Sequence, residues 1–453
     1  MMIDLIRVPD PTCIDDNLDE PLGLLYMAGA LRQAGFRVRV TNLAGHSIDS
    51  WKPEIKEADL YAIQLYTPTA HIGVAIAKHI KEKFPGKPVI CGGAHPTALP
   101  PNEVIGAFDK VIVGEGERAI VDIANAYKNN KELPKLIKAD LIEDLDSLAF
   151  PARDLVDMMS FTRKVDGKRC FGIVGSRGCH YKCAFCDRSL MGNMVRWRSV
   201  DSIVREIKEI IAAYGVRSFE FFDDIFTADK KRLTEFTEKV KDLNLSYRCN
   251  GRADVLDPEV YTLLKESGCT MICFGIESGS QRMLNLMRKG TTVEKNIKTI
   301  KLAQDAGLIT TGYFIVGFPG ETKESIQETI DFVKKTNIDQ AQFYTFIPLP
   351  GNYVAQHPEE YGITRMSKDY SQYHHVTGTD GRGGKVVDTE FLTADEVQEE
   401  MKKIREFLRN RKSRGAMQDY YKDKLKYTIE DKECESHDVL DGDVIKIENT
   451  AKQ

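Results

Sequence analysis

Short apolar runs alternate with amphipathic segments along the first third of the chain. Apolar runs of this length predict strands, and apolar residues three and four positions apart predict helices. Strands that alternate with helices form a parallel, doubly wound sheet. We therefore expect an α/β domain with a flavodoxin-like fold over residues 1–130. The predicted strands are 2–8, 36–43, 60–66, 87–93 and 110–115, and the predicted helices are 21–35, 70–83 and 117–128.

The turns after four of these strands are rich in small and polar residues. They are "PDPTCIDDNLDE", "YTPT", "CGGAHPT" and "GEGE". A ligand of a parallel sheet binds beyond the carboxyl ends of the strands, and small residues let the backbone approach it closely. Any one of these turns is equally consistent with a plain tight turn. Four of them at one edge favour a site for a large ligand.

A second alternation of strands and helices follows a Pro-containing, charged linker at 131–168. Its strand-like runs and helical patterns predict a partial (β/α)6 barrel over 169–352, with its chemistry at the carboxyl ends of the strands. The segments "SRGCHYKCAFC", "DD", "NGR", "ESG" and "FPGET" all fall at those ends. The predicted strands are 170–178, 218–224, 246–252, 270–278, 310–318 and 341–349, and predicted helices include 200–215, 258–268 and 323–336.

The last part of the chain, 353–453, is predicted to be mainly helical. A helix at 393–412 has a threonine at its start, an acidic first turn and a basic last turn, which match the helix dipole. The segment "VLDGDVIKIE" near the end predicts a hairpin or small β appendage. We interpret the basic stretch 402–426 as a solvated helix face.

Composition narrows the class of protein. The 453 residues carry a net charge of -5, which gives no general attraction to nucleic acid or to a membrane surface. We expect no signal peptide, because the first residues have no basic start and no long apolar run, and no membrane span, because no apolar run is long enough. Ten cysteines in such a chain indicate reduced thiols in the cytoplasm.

Cys179, Cys183 and Cys186 lie in the pattern C-x-x-x-C-x-x-C after the first barrel strand. Structural zinc normally has four ligands, and no fourth cysteine lies nearby. Iron–sulfur clusters are also held by cysteine thiolates. A four-iron cluster with three protein ligands leaves one iron open to bind a substrate or cofactor.

The segment "GCHYKCAFC" resembles the cluster-binding loop of the radical SAM superfamily, and "FGIESGSQRMLNLMRKG", "VGFPGET" and "PLPG" resemble later parts of its barrel. The resemblance implies that the three cysteines hold a [4Fe-4S] cluster. Its open iron would chelate S-adenosylmethionine, which is cleaved reductively to a 5′-deoxyadenosyl radical. The resemblance also implies contacts with S-adenosylmethionine from Phe185, Asp223, Asp224, Arg252, Glu277 and Gly317.

The first domain resembles the cobalamin-binding domain that precedes many radical SAM barrels, through "PLGLLYMAGALRQAGFRV", "CGGAHPT" and "VIVGEGE". The motif D-x-H-x-x-G is absent, so the resemblance implies cobalamin without a protein histidine on cobalt. The implied wall residues are Tyr66, Thr67, Thr69, Gly92, Gly93, His95, Gly114, Glu115 and Gly116.

Three hypotheses follow from these observations. The first is a radical SAM C-methyltransferase that uses cobalamin to methylate an unactivated carbon of a small molecule or peptide, with an electron donor such as flavodoxin or ferredoxin. The second is a radical SAM rearrangement, cyclisation or oxidation without methyl transfer. The third is a binding module in which the cysteines hold zinc.

Overall fold

The computed structural model describes residues 1–13, 15–47, 50–99, 106–374, 385–411 and 445–446. The chain forms two compact units. The first contains 1–163, 174–180 and 187–212, and the second contains 164–173, 181–186 and 213–453. The chain therefore changes unit on both sides of the cysteine-rich segment.

The first unit is built on a six-stranded, wholly parallel sheet in the order β2-β1-β3-β4-β5-β6. This confirms the doubly wound α/β domain. The chain moves to one side of β1 to form β2 and to the other side to form β3, so the switch point lies between β1 and β3. The strands are β1 Met2–Arg7, β2 Arg37–Asn42, β3 Leu60–Gln64, β4 Val89–Gly92, β5 Lys110–Val113 and β6 Leu136–Lys138, and the helices are α1 Leu22–Gln33, α2 Ala70–Lys83, α3 Ala94–Ala98 and α4 Gly116–Lys128.

The predicted linker 131–168 differs from expectation because its residues 136–138 form β6, the edge strand of this sheet. The run "KLIK" is too short and too charged to stand out as a strand in the sequence. Pairing with β5 satisfies its backbone groups. The linker ends in a two-stranded hairpin, β7 Lys164–Val165 and β8 Lys168–Arg169.

Two segments that flank the cysteines also belong to the first unit. The predicted strand 170–178 is divided into β9 Phe171–Ile173, which belongs to the second unit, and β10 Ser176–Arg177. β10 pairs antiparallel with β11 Arg196–Trp197, and α5 Val200–Tyr214 follows. Glu206 on α5 is buried and pairs with Arg153 at 2.7 Å and with Arg198 at 2.5 Å.

The second unit contains a six-stranded parallel sheet in the order β16-β15-β14-β13-β12-β9, which is the sequential order of a partial barrel. This confirms the predicted partial (β/α)6 architecture. The further strands are β12 Ser218–Phe221, β13 Ser246–Gly251, β14 Cys269–Glu277, β15 Ile309–Val316 and β16 Gln340–Thr345, and the helices are α6 Lys230–Val240, α7 Pro258–Glu266, α8 Gln281–Leu286, α9 Val293–Asp305 and α10 Lys323–Thr336.

The described C-terminal residues combine helices with a small sheet. Strand β17 Ile363–Met366 pairs antiparallel with β18 Val387–Thr389 and with β19 Ile445–Lys446, so part of "VLDGDVIKIE" forms the predicted β appendage. The helices are α11 Tyr353–Gln356 and α12 Ala394–Arg409. Most of the basic stretch 402–426 lies outside the described residues. None of the helices in the described ranges has the length and apolar character needed to cross a membrane.

Candidate functional site

The turns after β3, β4 and β5 lie together at the carboxyl edge of the first sheet. The Leu65 amide donates to the Gly92 carbonyl at 2.8 Å, and His95 Nδ1 lies 3.3 Å from Thr67 Oγ1. The Gly114 amide donates to Thr97 Oγ1 at 3.1 Å. The sequence-predicted residues of these turns are thus brought together at the edge where a ligand of this fold binds.

Gly93 is needed at this edge for a conformational reason. Its backbone φ of +115° is rare for residues that carry a side chain, and an added Cβ would lie 2.7 Å from the Leu65 carbonyl oxygen. Gly114, at φ +99°, is similar, because an added Cβ would lie 2.4 Å from the Ala139 carbonyl oxygen. Both glycines therefore allow close packing of the turns.

The polar groups at this edge fit a large, partly polar ligand such as cobalamin. The buried Thr69 hydroxyl has no hydrogen-bond partner among the described residues. Burial lowers the pKa of His95 to about 4, so its ring is neutral at neutral pH. The Tyr66 side chain is 51% exposed and offers an aromatic face. A neutral imidazole, an unsatisfied hydroxyl and an exposed ring can each contact such a ligand.

The side chain of Glu115, one of the predicted wall residues, is held by other groups of the protein. Its carboxylate is buried and pairs with Arg177 at 2.9 Å and with Arg196 at 2.6 Å. It also accepts a hydrogen bond from the Ile142 amide at 2.5 Å. Burial by itself would raise the pKa of Glu115, but these donors lower it below its ordinary value. Both carboxylate oxygens therefore have partners within the first unit.

The three predicted cluster ligands are divided between the two units. Cys179 belongs to the first unit, and Cys183 and Cys186 belong to the second. None of the three forms a disulfide. Gly178, at φ +87°, turns the backbone just before Cys179, and an added Cβ would meet the Met194 carbonyl oxygen at 2.2 Å. Across the described part of the chain, no three His, Cys, Asp or Glu side chains are arranged to hold a single metal ion.

Residues 181–186 are anchored to the barrel by several contacts. The Ala184 amide donates to the Met287 carbonyl at 2.9 Å, and Asn352 Nδ2 donates to the Phe185 carbonyl at 3.2 Å. The Arg252 guanidinium lies 3.6 Å from the centre of the Tyr181 ring, a close cation–π contact. The backbone of this segment is therefore fixed by residues far from it in the sequence.

Arg252 and Glu277 are brought together through Lys289, a residue that sequence reasoning missed. Lys289 Nζ lies 2.7 Å from Glu277 Oε1, and the Lys289 carbonyl accepts a hydrogen bond from Arg252 Nη2. Arg252 also pairs with Asp254 at 2.9 Å. Glu277 has a φ of +67°, rare for a residue with a side chain, and such strain is common at functional sites. No local pattern distinguishes the lysine of "MRKG" from a surface lysine.

The cations beside the cysteines suit an anionic group. Burial by itself would lower the pKa of Lys289, but the nearby Glu277 and, to a smaller degree, Cys183 raise it. Burial would also lower the pKa of Arg252, yet Asp254 and, to a smaller degree, Cys183 raise it. Three cysteines with two cations next to one of them fit an iron–sulfur cluster held by thiolates.

The other predicted contacts with S-adenosylmethionine lie at strand ends of the same barrel. Asp223 is fully buried after β12, and Asn250 donates to its carbonyl at 3.2 Å. Asp224 has part of its surface exposed to solvent. Its pKa is raised, mainly because nearby protein atoms desolvate the carboxyl group and also because Asp223 is close. The Gly317 amide is occupied by a 2.5 Å hydrogen bond to Glu321, and Gly317 packs against Val397 of α12.

A pocket of about 460 Å³ opens in the barrel next to the cysteine segment. Its walls are mostly apolar and aromatic, and Glu277 is the one acidic residue among them. Arg248 donates to the Tyr313 hydroxyl at 2.9 Å and pairs with Glu220 at 3.2 Å. The lining residues are Phe185, Glu277, Tyr313, Ile315, Tyr344, Thr345, Phe346, Ile347 and Leu349.

Comparison with known families matches both halves of the chain. Residues 18–124 match the B12 binding domain, and residues 173–333 match the radical SAM superfamily. The two matches cover the α/β sheet with its carboxyl-edge turns and the barrel with its cysteine segment.

Relatives and solved structures agree with these matches. An uncharacterized methyltransferase of Pyrococcus horikoshii is 32% identical over 73% of this chain and 76% of its own length. An anaerobic magnesium-protoporphyrin IX monomethyl ester cyclase of Cereibacter sphaeroides is 27% identical over 79% of this chain and 63% of its own length. The same fold is found in the radical S-adenosylmethionine methyltransferase TsrM from Kitasatospora setae, which was solved with cobalamin and a [4Fe-4S] cluster bound. The TM-score is 0.65 at 17% identity, and the match covers 94% of this chain and 91% of that chain.

The resemblance to cobalamin-dependent radical SAM enzymes is therefore confirmed, and the residues at both sites fit the implied cofactors. The chain belongs to the radical SAM superfamily, in the cobalamin-dependent methyltransferase family, and its cofactors are a [4Fe-4S] cluster, S-adenosylmethionine and cobalamin.

Proposed function

We propose that this enzyme methylates an unactivated carbon of a small molecule or peptide that enters the barrel pocket. The observation that carries the proposal is the position of Phe185. It lies between Cys183 and Cys186 in the sequence and lines the same pocket as Glu277. A substrate in this pocket would lie next to the segment that holds the cluster.

The bound cofactors supply the difficult chemistry, a reductive cleavage of S-adenosylmethionine to a 5′-deoxyadenosyl radical and a methyl group carried by cobalamin. The protein binds, orients and excludes water. In this proposal Cys179, Cys183 and Cys186 hold the cluster. Arg252 or Lys289 neutralises the carboxylate of S-adenosylmethionine, and Glu277 or an aspartate after β12 accepts hydrogen bonds from its ammonium.

The apolar walls of the pocket have a chemical purpose in this proposal. A carbon radical reacts with any weak C–H or S–H bond nearby, so a dry and closely fitting cavity protects it. Phe185, Ile315 and Phe346 offer such walls, and the tilted rings of Tyr313 and Tyr344 have centres 6.0 Å apart.

In the first unit, the turns that contain Thr69, Gly93, His95 and Gly114 would hold cobalamin. The neutral His95 ring is already 3.3 Å from Thr67, which agrees with a hydrogen-bonding role rather than a cobalt ligand. We further propose that a flavodoxin or ferredoxin delivers the electron and that the enzyme works in the cytoplasm. The cysteines of the described residues form no disulfides, which is consistent with a reducing compartment.

The test is an anaerobic assay of the reconstituted enzyme with cell extract. We expect 5′-deoxyadenosine and S-adenosylhomocysteine to appear together, because one S-adenosylmethionine yields the radical and another supplies the methyl group. Mass spectrometry of the extract should show a gain of about 14 Da, one methyl in place of one hydrogen. The Cys183→Ala variant should form neither product, whereas Cys269→Ala, which removes a buried barrel cysteine outside the loop, should form both.

The competing reaction is a cyclisation or rearrangement without methyl transfer. The similarity to a cyclase is the reason for testing it. In that case 5′-deoxyadenosine would form with substrate while S-adenosylhomocysteine stays at its background level. That result would refute methylation but leave the cluster and its cysteines intact as the radical source.

A further inference from the structure

Glu115 connects the two sides of the cysteine-rich segment. One carboxylate oxygen lies 2.9 Å from Arg177 Nη1, two residues before Cys179, and the other lies 2.6 Å from Arg196 Nη1, ten residues after Cys186. Arg177 makes a second ion pair with Glu117 at 2.6 Å. All of these contacts lie within the first unit.

This ion-pair network is buried, and both of its carboxylates pair with an arginine. The exposed fractions are 3% for Glu115, 5% for Glu117, 7% for Arg177 and 8% for Arg196. Arg196 also donates to the Ile142 and Met191 carbonyls, at 2.7 and 2.8 Å. Removing one partner of a buried ion pair strongly lowers the stability of the fold, because the other charge stays buried without compensation. The network therefore fixes the segments before and after the cysteines more firmly than surface pairs could.

The same turn belongs to the predicted cobalamin site. Gly114 and Gly116 flank Glu115, and the Gly114 amide is tied to Thr97 of α3. A ligand that orders this turn would also order the carboxylate that holds Arg177 and Arg196. Sites that share one ordered element are coupled, and the coupling acts equally in both directions.

We propose that Glu115 is a positioning residue that couples occupancy of the cobalamin site to retention of the iron–sulfur cluster. It does so by holding both flanks of the cysteine segment from the turn between Gly114 and Gly116. The part that concerns cobalamin rests on the proposed function, whereas the part that concerns retention of iron does not.

The experiment measures iron loss from the full-length, anaerobically reconstituted protein to a ferrous chelator, with and without hydroxocobalamin, and without S-adenosylmethionine or substrate. The variant Glu115→Gln keeps the shape of the side chain and removes its charge. We expect it to lose iron at least about fivefold faster than the wild type, within the range of typical coupling effects. Hydroxocobalamin should slow iron loss from the wild type but not from Glu115→Gln.

Two variants separate this role from a general loss of stability. Asp4→Asn removes a similarly buried carboxylate of the same unit, which pairs with Arg39 at 2.6 Å, far along the sequence from the cysteines. It should lose iron at the wild-type rate. Glu117→Gln, which affects Arg177 alone, should give an intermediate rate. If Glu115→Gln does not fold, Arg196→Lys, which keeps the charge and loses the forked geometry, replaces it with the same expectation.

Wild-type iron loss in Glu115→Gln, or equally fast loss in Asp4→Asn, would overturn the role of Glu115. An equal effect of hydroxocobalamin on the wild type and on Glu115→Gln would overturn the coupling. If hydroxocobalamin binds to none of the proteins, the coupling and the cobalamin part of the proposed function both fail. The comparison of iron loss among variants still decides whether Glu115 positions the cysteine segment.

Discussion

At the scale of single residues, a buried ion pair between Lys289 and Glu277 lies in the barrel next to the cysteine segment. Lys289 and Glu277 are each less than 10% exposed, and their ion pair faces the side of the barrel where Cys183 and Phe185 lie. Lys289 Nζ is also 5.6 Å from the centre of the Phe185 ring. The ammonium therefore lies close both to the Glu277 carboxylate and to an aromatic ring of the cysteine segment.

The first prediction concerns this pair. Lys289→Met should lower the free energy of unfolding of the cluster-free protein by about 3–5 kcal/mol, because Glu277 is left buried without a partner. The double variant Glu277→Gln/Lys289→Met should recover most of that loss. Urea denaturation measures the stability of the two variants. Calorimetric titration should show that each binds S-adenosylmethionine more weakly than the wild type. Lys295→Met, on an exposed face of α9, should change neither quantity; a loss of stability there as large as that of Lys289→Met would refute the explanation.

The second prediction concerns the pH dependence that His95 imposes. The unfolded chain binds a proton at this histidine near its ordinary pKa of about 6.5, whereas the folded protein does so only near 4. The unfolded state therefore binds more protons between these values, so stability falls as the pH falls from about 6.5 to about 4.

At pH 4.5 this linkage should cost about 2–3 kcal/mol of stability relative to pH 7. Denaturant unfolding of His95→Gln should show a pH dependence smaller by that amount. His71→Gln, exposed on α2, should retain the dependence of the wild type. Identical pH profiles for the wild type and His95→Gln would contradict a buried, neutral His95.

At the scale of elements, two helices, α10 and α12, begin at a polar capping residue. α12 starts after Thr393, whose hydroxyl accepts from the Glu396 amide at 3.3 Å while the Glu396 carboxylate accepts from the Thr393 amide at 3.0 Å. This capping box satisfies two backbone donors that the helix itself cannot. α10 begins with a similar reciprocal pair, Thr322 and Ser325.

The third prediction tests the cap of α12. Thr393→Ala should lower the free energy of unfolding by about 1 kcal/mol, because the cap hydrogen bond is lost without a substitute. Thr262→Ala, an exposed position within α7, should have little or no effect. Chemical denaturation of both variants is the measurement, and equal losses would show that the cap geometry contributes nothing.

At the scale of the whole molecule, two kinds of parallel sheet carry two kinds of site. The doubly wound sheet brings the turns after β3, β4 and β5 together at its carboxyl edge, and the partial barrel has charged residues at the ends of its strands. Along the sequence, Cys179 is assigned to the first unit, and Cys183 and Cys186 are assigned to the second.

The fourth prediction follows from ligand linkage. Hydroxocobalamin at about 100 times its dissociation constant should stabilise the cluster-free protein by about 2.7 kcal/mol, because it binds only the folded state. Thermal unfolding monitored with increasing hydroxocobalamin measures the shift. Gly93→Ala should reduce the shift, since a Cβ at this backbone conformation displaces the turn. Gly106→Ala, where an added Cβ meets nothing within 4 Å, is the matched control.

The sequence alone determined the features that depend on neighbours in the chain. The order of strands and helices, the cap at Thr393 and the spacing of Cys179, Cys183 and Cys186 are all local patterns, since strand and helix periodicities and cluster ligands are set by nearby residues. These patterns predicted the two fold classes correctly, and the resemblance to known families added the correct cofactors.

Only the tertiary structure decided which distant residues meet. Lys289 pairs with Glu277, Glu115 pairs with Arg177 and Arg196, and residues 136–138 join the first sheet. Such pairs leave no periodic trace in the sequence, because their partners are separated by many residues and are selected by burial and charge compensation in the folded chain.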